Sequence, residues 1–189
     1  MKNINISIAG LGNVGSSLVH LIEKNSEFLN YKSDLNINIL SISAKNKNKK
    51  RNFDVDKYNW VDDPRDLLNV EGEKPNILVE LIGYEKDISY EIVKSALMQK
   101  INVVTGNKAM LAKHGYELFK IAEENKVVLG FEAAVAGGIP IIKTIKNSIF
   151  LNKINKISGI LNGTTNYILT TMELENKNFG EVLEDAKQK

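Results

Sequence analysis

The chain has 189 residues with 43% hydrophobic and 25% charged side chains, a net charge of +2 from 25 basic and 23 acidic residues, and no Cys. This balance fits a globular protein of one full domain plus part of another, and it excludes disorder and collagen-like repetition. Without Cys there are no disulfides, thiolate nucleophiles or cysteine-ligated metal sites, and no apolar run approaches the ~18–20 residues that a membrane span needs.

The first residues, Met1-Lys2-Asn3-Ile4-Asn5-Ile6, alternate polar and apolar and lack the apolar core of a signal peptide, so the sequence reads as soluble and cytoplasmic. Ile4, Ile6 and Ile8 make 3–9 a strand, and Gly10-Leu11-Gly12-Asn13-Val14-Gly15 follows it. Leu18, Val19, Leu21 and Ile22 then recur at helical spacing within 16–27. A second strand spans 35–43, a polar loop 46–58, and a short helix is expected over 66–70 behind Pro64. The run Ile77-Leu78-Val79-Glu80-Leu81-Ile82 suits a strand buried on both faces of a parallel sheet. Helix over 87–100, strand over 101–105, helix over 109–125 with Leu118, Ile121 and Ala122 inward, and strand over 127–131 complete the alternation. That order predicts an α/β fold, a doubly wound parallel sheet of the Rossmann type with right-handed crossovers.

At residue 132 the texture becomes small and glycine-rich. A helix is expected over 141–150, a strand over 156–161, a turn over 162–166, a helix over 167–174 and a charged amphipathic helix over 178–189. One strand is too little to bury an independent core. The expected organisation is therefore a parallel-sheet domain over 1–131 followed by an incomplete α+β second domain over 132–189.

Gly10-x-Gly12-x-x-Gly15 between a first strand and a first helix is the pattern that binds a pyrophosphate. Gly10 permits the turn, Gly12 lets the backbone approach the phosphates, and Gly15 allows close helix–strand packing. The N–H groups opening the helix at Asn13 and Val14 would face the phosphates. An NAD site usually carries Asp or Glu after the second strand, for the ribose 2′-OH. Here that stretch is Ser41-Ile42-Ser43-Ala44-Lys45, with no carboxylate. Lys45 would attract a 2′-phosphate and Ser43 can donate to it, so NADP is the preferred cofactor and NAD the alternative. Lys45 opens a run, Lys-Asn-Lys-Asn-Lys-Lys-Arg, with five positive charges. It has no interleaved aromatics and no second basic face, so it is not read as a nucleic-acid patch.

Gly83 ends one strand and Thr105-Gly106-Asn107-Lys108 ends the next, both on the edge where ligands of such sheets bind. By position alone Lys108 is either a surface lysine at a helix start or a group that exchanges a proton with a substrate oxygen. Glu132 ahead of Gly137-Gly138-Ile139-Pro140 fits either a tight turn or an oxygen-lined cation site. Asn162-Gly163-Thr164-Thr165-Asn166 either holds a polar substrate or caps the next helix through Thr165 or Asn166. His20 and His114 lie within helices and are read as surface or packing residues.

Taken together, Gly-Leu-Gly-Asn-Val-Gly at 10–15, Val-Thr-Gly-Asn-Lys at 104–108, Glu-Ala-Ala-Val-Ala-Gly-Gly-Ile-Pro-Ile-Ile at 132–142 and Gly-Ile-Leu-Asn-Gly-Thr-Thr-Asn-Tyr-Ile-Leu at 159–169 resemble homoserine dehydrogenase. The resemblance implies NAD(P)-dependent interconversion of L-homoserine and L-aspartate 4-semialdehyde, on the route to threonine and methionine. It implies that Lys108 lies next to nicotinamide and substrate and that Gly163 contacts the same region. It further implies that Glu132, Val135, Gly137 and Ile139 hold a monovalent cation such as sodium, the last three through backbone carbonyls. A homo-oligomer is implied for the full-length enzyme. Where the family has Ala in Val-Thr-Ala-Asn-Lys, this chain has Gly106. Family members continue with a substrate-binding acid and an Asp and a Lys for substrate binding and proton transfer, so the expectation is a C-terminally truncated fragment that binds NADP and turns over little by itself. The rival expectation is a non-catalytic NADP-binding module or truncated paralogue. A thiol-dependent semialdehyde dehydrogenase is disfavoured because it needs a nucleophilic Cys.

Overall fold

The computed structural model describes residues 2–83, 87–160 and 162–188. The chain divides into two compact units, Met1–Ile142 and Lys143–Lys189. Among the described residues no helix is long and apolar enough to cross a membrane.

The first unit is built on six parallel strands in the order β3-β2-β1-β4-β5-β6. They are β1 (Lys2–Ala9), β2 (Leu35–Ser43), β3 (Asn59–Trp60), β4 (Ile77–Glu80), β5 (Asn102–Thr105) and β6 (Leu129–Gly130). Helices α1 (Asn13–Lys24), α2 (Ser26–Ser33), α3 (Asp87–Met98) and α4 (Lys108–Asn125) connect them. The strand order reverses between β1 and β4, which opens a crevice beyond their carboxyl ends.

Sequence alternation sets the two faces. Ile6, Ile8, Ile39, Ile42 and Val79 pack with Leu11 and Val19 of the α1 side. Ala9, Leu78 and Val103 pack with Ile92, Val93 and Leu97 of α3 and Leu118 of α4. The expected inward set on α4 holds, with Leu118 and Ala122 buried and Ile121 packed partly against the same core. Each fully buried Val, Leu or Ile among them contributes about 1.5–3 kcal/mol. The polar residues of β1 are matched across the sheet: Asn36 donates to Asn3 and Asn38 to Asn5, each at 3.1 Å. A register shift between Ile6 and Ser7 brings the buried Ser7 and Ser41 hydroxyls to 2.8 Å, so neither is left unpaired.

Several expectations are corrected. No strand forms over 156–160; these residues are exposed and have no ladder partner, and residue 161 lies outside the described residues. A strand persists only where a neighbour takes up its N–H and C=O groups, and none of the described residues in the second unit forms a strand. Its described residues include helices α7 (Gly163–Glu175) and α8 (Phe179–Gln188), joined by a Tyr167 hydroxyl that donates to Asp185 at 3.0 Å. The helix expected over 141–150 is a short α-turn, α6 (Ile141–Lys143), running into a π-turn at Thr144–Ser148. The helix expected over 66–70 is a 3₁₀ turn at Pro64–Leu68, capped by Asp63. The first helix breaks at Asn25, and α2 follows it.

On the outside, α3 and α4 are clasped by a polar cluster. Lys94 donates to Glu117 at 2.7 Å and to the Tyr90 hydroxyl at 3.0 Å, and that hydroxyl donates to Glu117. The His114 ring stacks on Tyr90 with centroids 4.1 Å apart. The hydrogen bond from Lys94 holds the Glu117 carboxyl below its ordinary 4.5, and the same bond raises Lys94 above its ordinary 10.5. A carboxyl depressed on folding contributes stability that is present above its unfolded pKa and lost as pH falls through its folded one. A raised lysine contributes stability below its unfolded pKa that is lost as pH rises through its folded one. Urea midpoints of wild type and Glu117→Gln should therefore differ at pH 7 and converge as the pH is taken below 4.5; a difference that persists in acid would place the effect elsewhere.

Candidate cofactor-binding site

The turn from β1 into α1 is fixed by close backbone contacts. Gly10 has φ +98°, a conformation that L side chains rarely adopt, and a Cβ there would lie 2.5 Å from the Leu81 carbonyl carbon and oxygen. Its N–H donates to Ser43 O at 2.8 Å, joining the turn to the end of β2. A Cβ on Gly15 would strike the Gly10 carbonyl. Gly12, by contrast, looks onto open space, with nothing within 4 Å of a Cβ built on it. Gly12 is the N-cap of α1, no side chain caps this helix end, and no acidic residue sits in its first turn. A helix start of this kind offers N–H groups and partial positive charge to an anion. Asn13 and Val14, the first two helical residues, are both exposed.

A cleft of about 1010 Å³ opens beside this turn. It is lined by Gly10 to Gly12, by Ser43 to Lys47 after β2, and by Leu81 and Ile82 after β4. Asp62 also reaches the lining, with its carboxylate accepting from the Trp60 indole N–H at 2.8 Å. The β2 exit itself carries Ser43 and Lys45 in the lining and no carboxylate.

Farther along the same sheet edge, Glu80 is fully buried at the end of β4. It accepts from the Thr105 hydroxyl at 2.6 Å and from the Ile82 N–H at 2.9 Å. Thr105 in turn accepts from the Asn107 N–H at 3.0 Å, and the Asn107 side chain caps α4 by accepting from the Met110 N–H at 3.1 Å. These bonds fix the ends of β4 and β5 against one another and set where α4 starts. Lys108 is the first residue of α4, exposed, and outside the lining of the cleft. Gly83 follows β4, also outside the lining.

Residues 10–132 match the family model described as homoserine dehydrogenase, NAD binding domain, and residues 140–189 match the one described as homoserine dehydrogenase. The chain belongs to the homoserine dehydrogenase family. The homoserine dehydrogenase of Pseudomonas aeruginosa is 37% identical over 188 residues, which cover 99% of this chain and 42% of that protein. The crystal structure of Staphylococcus aureus homoserine dehydrogenase at pH 7.5 superposes with a TM-score of 0.76 at 38% identity, covering 100% of this chain and 43% of that one. A hyperthermophilic archaeal homoserine dehydrogenase in complex with NADPH superposes with a TM-score of 0.76 at 32% identity, over 98% of this chain and 61% of that one. The chain thus spans less than half the length of the Pseudomonas relative.

The structure brings Gly10, Gly12, Ser43 and Lys45 to one cleft. Asn13, Val14 and Gly15 continue the same turn into α1. Glu132 begins α5 (Glu132–Val135), and its carboxylate accepts from the Ile142 N–H at 2.9 Å; Gly137, at φ +59°, and Ile139 lie between them. Gly163 opens α7 in the second unit, where Asn162, not Thr165 or Asn166, is the cap, accepting from the Thr165 N–H at 2.9 Å. A side-chain carbonyl placed just ahead of a helix reaches its first free N–H groups better than a residue already inside it.

Sequence reasoning passed over two residues of this edge. Arg51 accompanies Lys45 in the cleft lining, and the available signal was that it is one of only two arginines in a lysine-rich chain. Glu80 was read as part of an apolar run, and the signal was a carboxylate placed where both faces of a strand are buried.

The glycine contacts give a direct stability contrast. Gly15→Ala should lower the urea midpoint by an amount equivalent to about 1–3 kcal/mol, through overpacking against the Gly10 carbonyl. Gly12→Ala, with φ −74° and open space around it, should stay within about 0.5 kcal/mol of wild type. Equal losses would contradict the packing described for the turn.

Proposed function

We propose that the chain is the cofactor-binding part of a homoserine dehydrogenase that interconverts L-homoserine and L-aspartate 4-semialdehyde with NADP(H), in threonine and methionine biosynthesis. The observation that carries this reading is the uncapped start of α1 facing a cleft whose β2 exit bears Lys45 and Ser43 and no carboxylate. An acidic residue at that position would accept from a ribose 2′-OH and repel a 2′-phosphate, whereas a lysine attracts the phosphate. The family relationship and the NADPH complex of the archaeal relative support the same choice.

When bound, the nicotinamide supplies the hydride chemistry. The chain's own groups position and balance charge. The turn over Gly10 to Gly15 holds the pyrophosphate at the first N–H groups of α1, with Gly12 leaving the approach open. Lys108, at the start of α4, donates to the substrate oxygen and exchanges the alcohol proton with it as the carbonyl and alcohol interconvert. Asn107, Thr105 and Glu80 hold that helix start in place. Gly83, just after β4, belongs to the wall of the nicotinamide region in this reading. Glu132 with the carbonyls of Val135, Gly137 and Ile139 is an all-oxygen donor set of the kind that suits a hard cation such as sodium. The Ile142 N–H that holds the Glu132 carboxylate over the intervening turn fits this set. Exposed apolar side chains at Phe150, Leu151 and Ile160 support assembly into a homo-oligomer. The substrate is a small molecule, without nucleic acid or membrane as partner, and the reading places the reaction in the cytoplasm.

Fluorescence titration of the chain should give saturable binding that is tighter for NADPH than for NADH. Lys45→Asp should weaken NADPH about tenfold or more and NADH far less, since one charge-assisted contact is replaced by repulsion; equal weakening would remove Lys45 as the 2′-phosphate partner. In a catalytically complete protein carrying this segment, Lys108→Ala should lower kcat/KM by about 100-fold or more. An unchanged value would return Lys108 to the class of surface lysines.

A further inference from the structure

Arg51 closes the basic loop from its own end. Its guanidinium gathers backbone carbonyls instead of a carboxylate: Nη1–H donates to Lys47 O at 3.0 Å and to Lys49 O at 2.9 Å, and Nη2–H donates to Asn46 O at 2.8 Å. Nε–H reaches Leu11 O at 3.4 Å, across the chain into the glycine turn. The same group lies over the Trp60 ring, 5.7 Å from its centroid, and burial pulls its pKa below the ordinary arginine value. A second hollow, of about 530 Å³, places Lys49 and Lys50 opposite Gly12 and Asn13. Lys47 pairs with Asp56 at 3.1 Å.

Five positive charges in seven residues repel one another, and without an internal tie the segment would spread into solvent. The guanidinium turns the carbonyl dipoles of Asn46, Lys47 and Lys49 in the loop toward itself and adds the Leu11 carbonyl as a bolt to the glycine turn. Its own charge meets these carbonyl dipoles and the Trp60 ring. A planar group with five donors in a fixed fork can make these bonds together; an ammonium with three donors at one point cannot.

We infer that Arg51 is a positioning residue that sets selectivity for the 2′-phosphorylated cofactor by holding the 46–51 loop closed against the glycine turn, so that the lysines at the β2 exit stand ready before the ligand arrives. The inference rests on the reading of the cleft as an NADP site. Preorganisation of this kind raises affinity by removing the ordering cost from the binding step. Because an NADH adenosine ribose lacks the phosphate that the loop meets, its affinity depends on the loop far less.

Arg51→Lys separates shape from charge and keeps a tryptic site at the position; Arg51→Met removes both charge and fork. Titrations of the 189-residue chain with NADPH and with NADH, together with timed trypsin digestion mapped by mass, test the assignment. Both variants should lose about tenfold or more in NADPH affinity while NADH affinity changes by less than about threefold. Tryptic nicking between residues 45 and 51 should be several-fold faster in Arg51→Lys than in wild type. A wild-type NADPH-to-NADH ratio in Arg51→Lys would overturn the inference, and so would equal losses for both dinucleotides or unchanged nicking of the loop. A wild-type chain that binds neither dinucleotide would remove the cofactor reading itself and the inference with it, whereas the other adverse results remove the inference alone.

Discussion

Backbone meets backbone where β1 turns into α1, and the placement of everything else at the carboxyl edge depends on that contact. Gly10 comes so near Leu81 that a Cβ would lie 2.5 Å from its carbonyl, and Gly15 has no room for one against Gly10. These approaches bring the start of α1 down onto the sheet at the point where strand order reverses between β1 and β4. The Gly10 N–H is spent on Ser43 O, so the turn and the β2 exit move as one piece. The amides beyond Gly12 are left without a side-chain cap. A protein that needed only a connection here would satisfy those donors with Ser, Thr, Asp or Asn, each worth about 0.5–2 kcal/mol at this position. Leaving them open forgoes that stability in favour of anion binding.

The charge pattern follows from the same geometry. In the proposed NADP(H) reading, a doubly charged phosphate at the ribose would meet cations beyond the end of β2, where Lys45 to Arg51 place five within one loop. Concentrating like charge destabilises a loop, and the Arg51 guanidinium offsets this by accepting no counter-ion and binding carbonyls instead. On the far side of the switch point, the buried Glu80 performs a related service. It joins β4, β5 and the cap of α4 through Thr105 and Asn107, so Lys108 stands on a helix start that is hydrogen-bonded down to the sheet.

Much of this was legible in the sequence, for physical reasons that differ between elements. β1, β2 and β4 announce themselves because β-branched residues repeat at the period of a half-buried or fully buried strand, and the glycine turn because its three glycines fall between a strand and a helix. β3 was invisible, since Asn59 and Trp60 pair with β2 without any alternating pattern to extend. α2 was passed over because none of its residues is buried, so it carries no apolar stripe. The stretch 156–160 misled in the other direction: Ile157 and Ile160 suggest a strand, yet both are exposed and no neighbour pairs with them. In the site, Lys45 and Ser43 could be placed from their distance beyond β2. Arg51 and Glu80 could not, because their roles depend on carbonyls and a hydroxyl supplied by residues distant in the chain or turned by the loop itself.

The account is tested most directly by following the backbone amides of the isotopically labelled chain by two-dimensional NMR while NADPH is added. The predicted result is saturable shifts largest at the amides of Gly10 to Gly15 and from Ser43 to Arg51, with any others limited to the carboxyl edge of the sheet around Gly83 and Lys108. Absence of any saturable change in the folded protein, or shifts centred on amides away from the carboxyl edge of the sheet, would contradict the claim that the open start of α1 holds the cofactor's pyrophosphate.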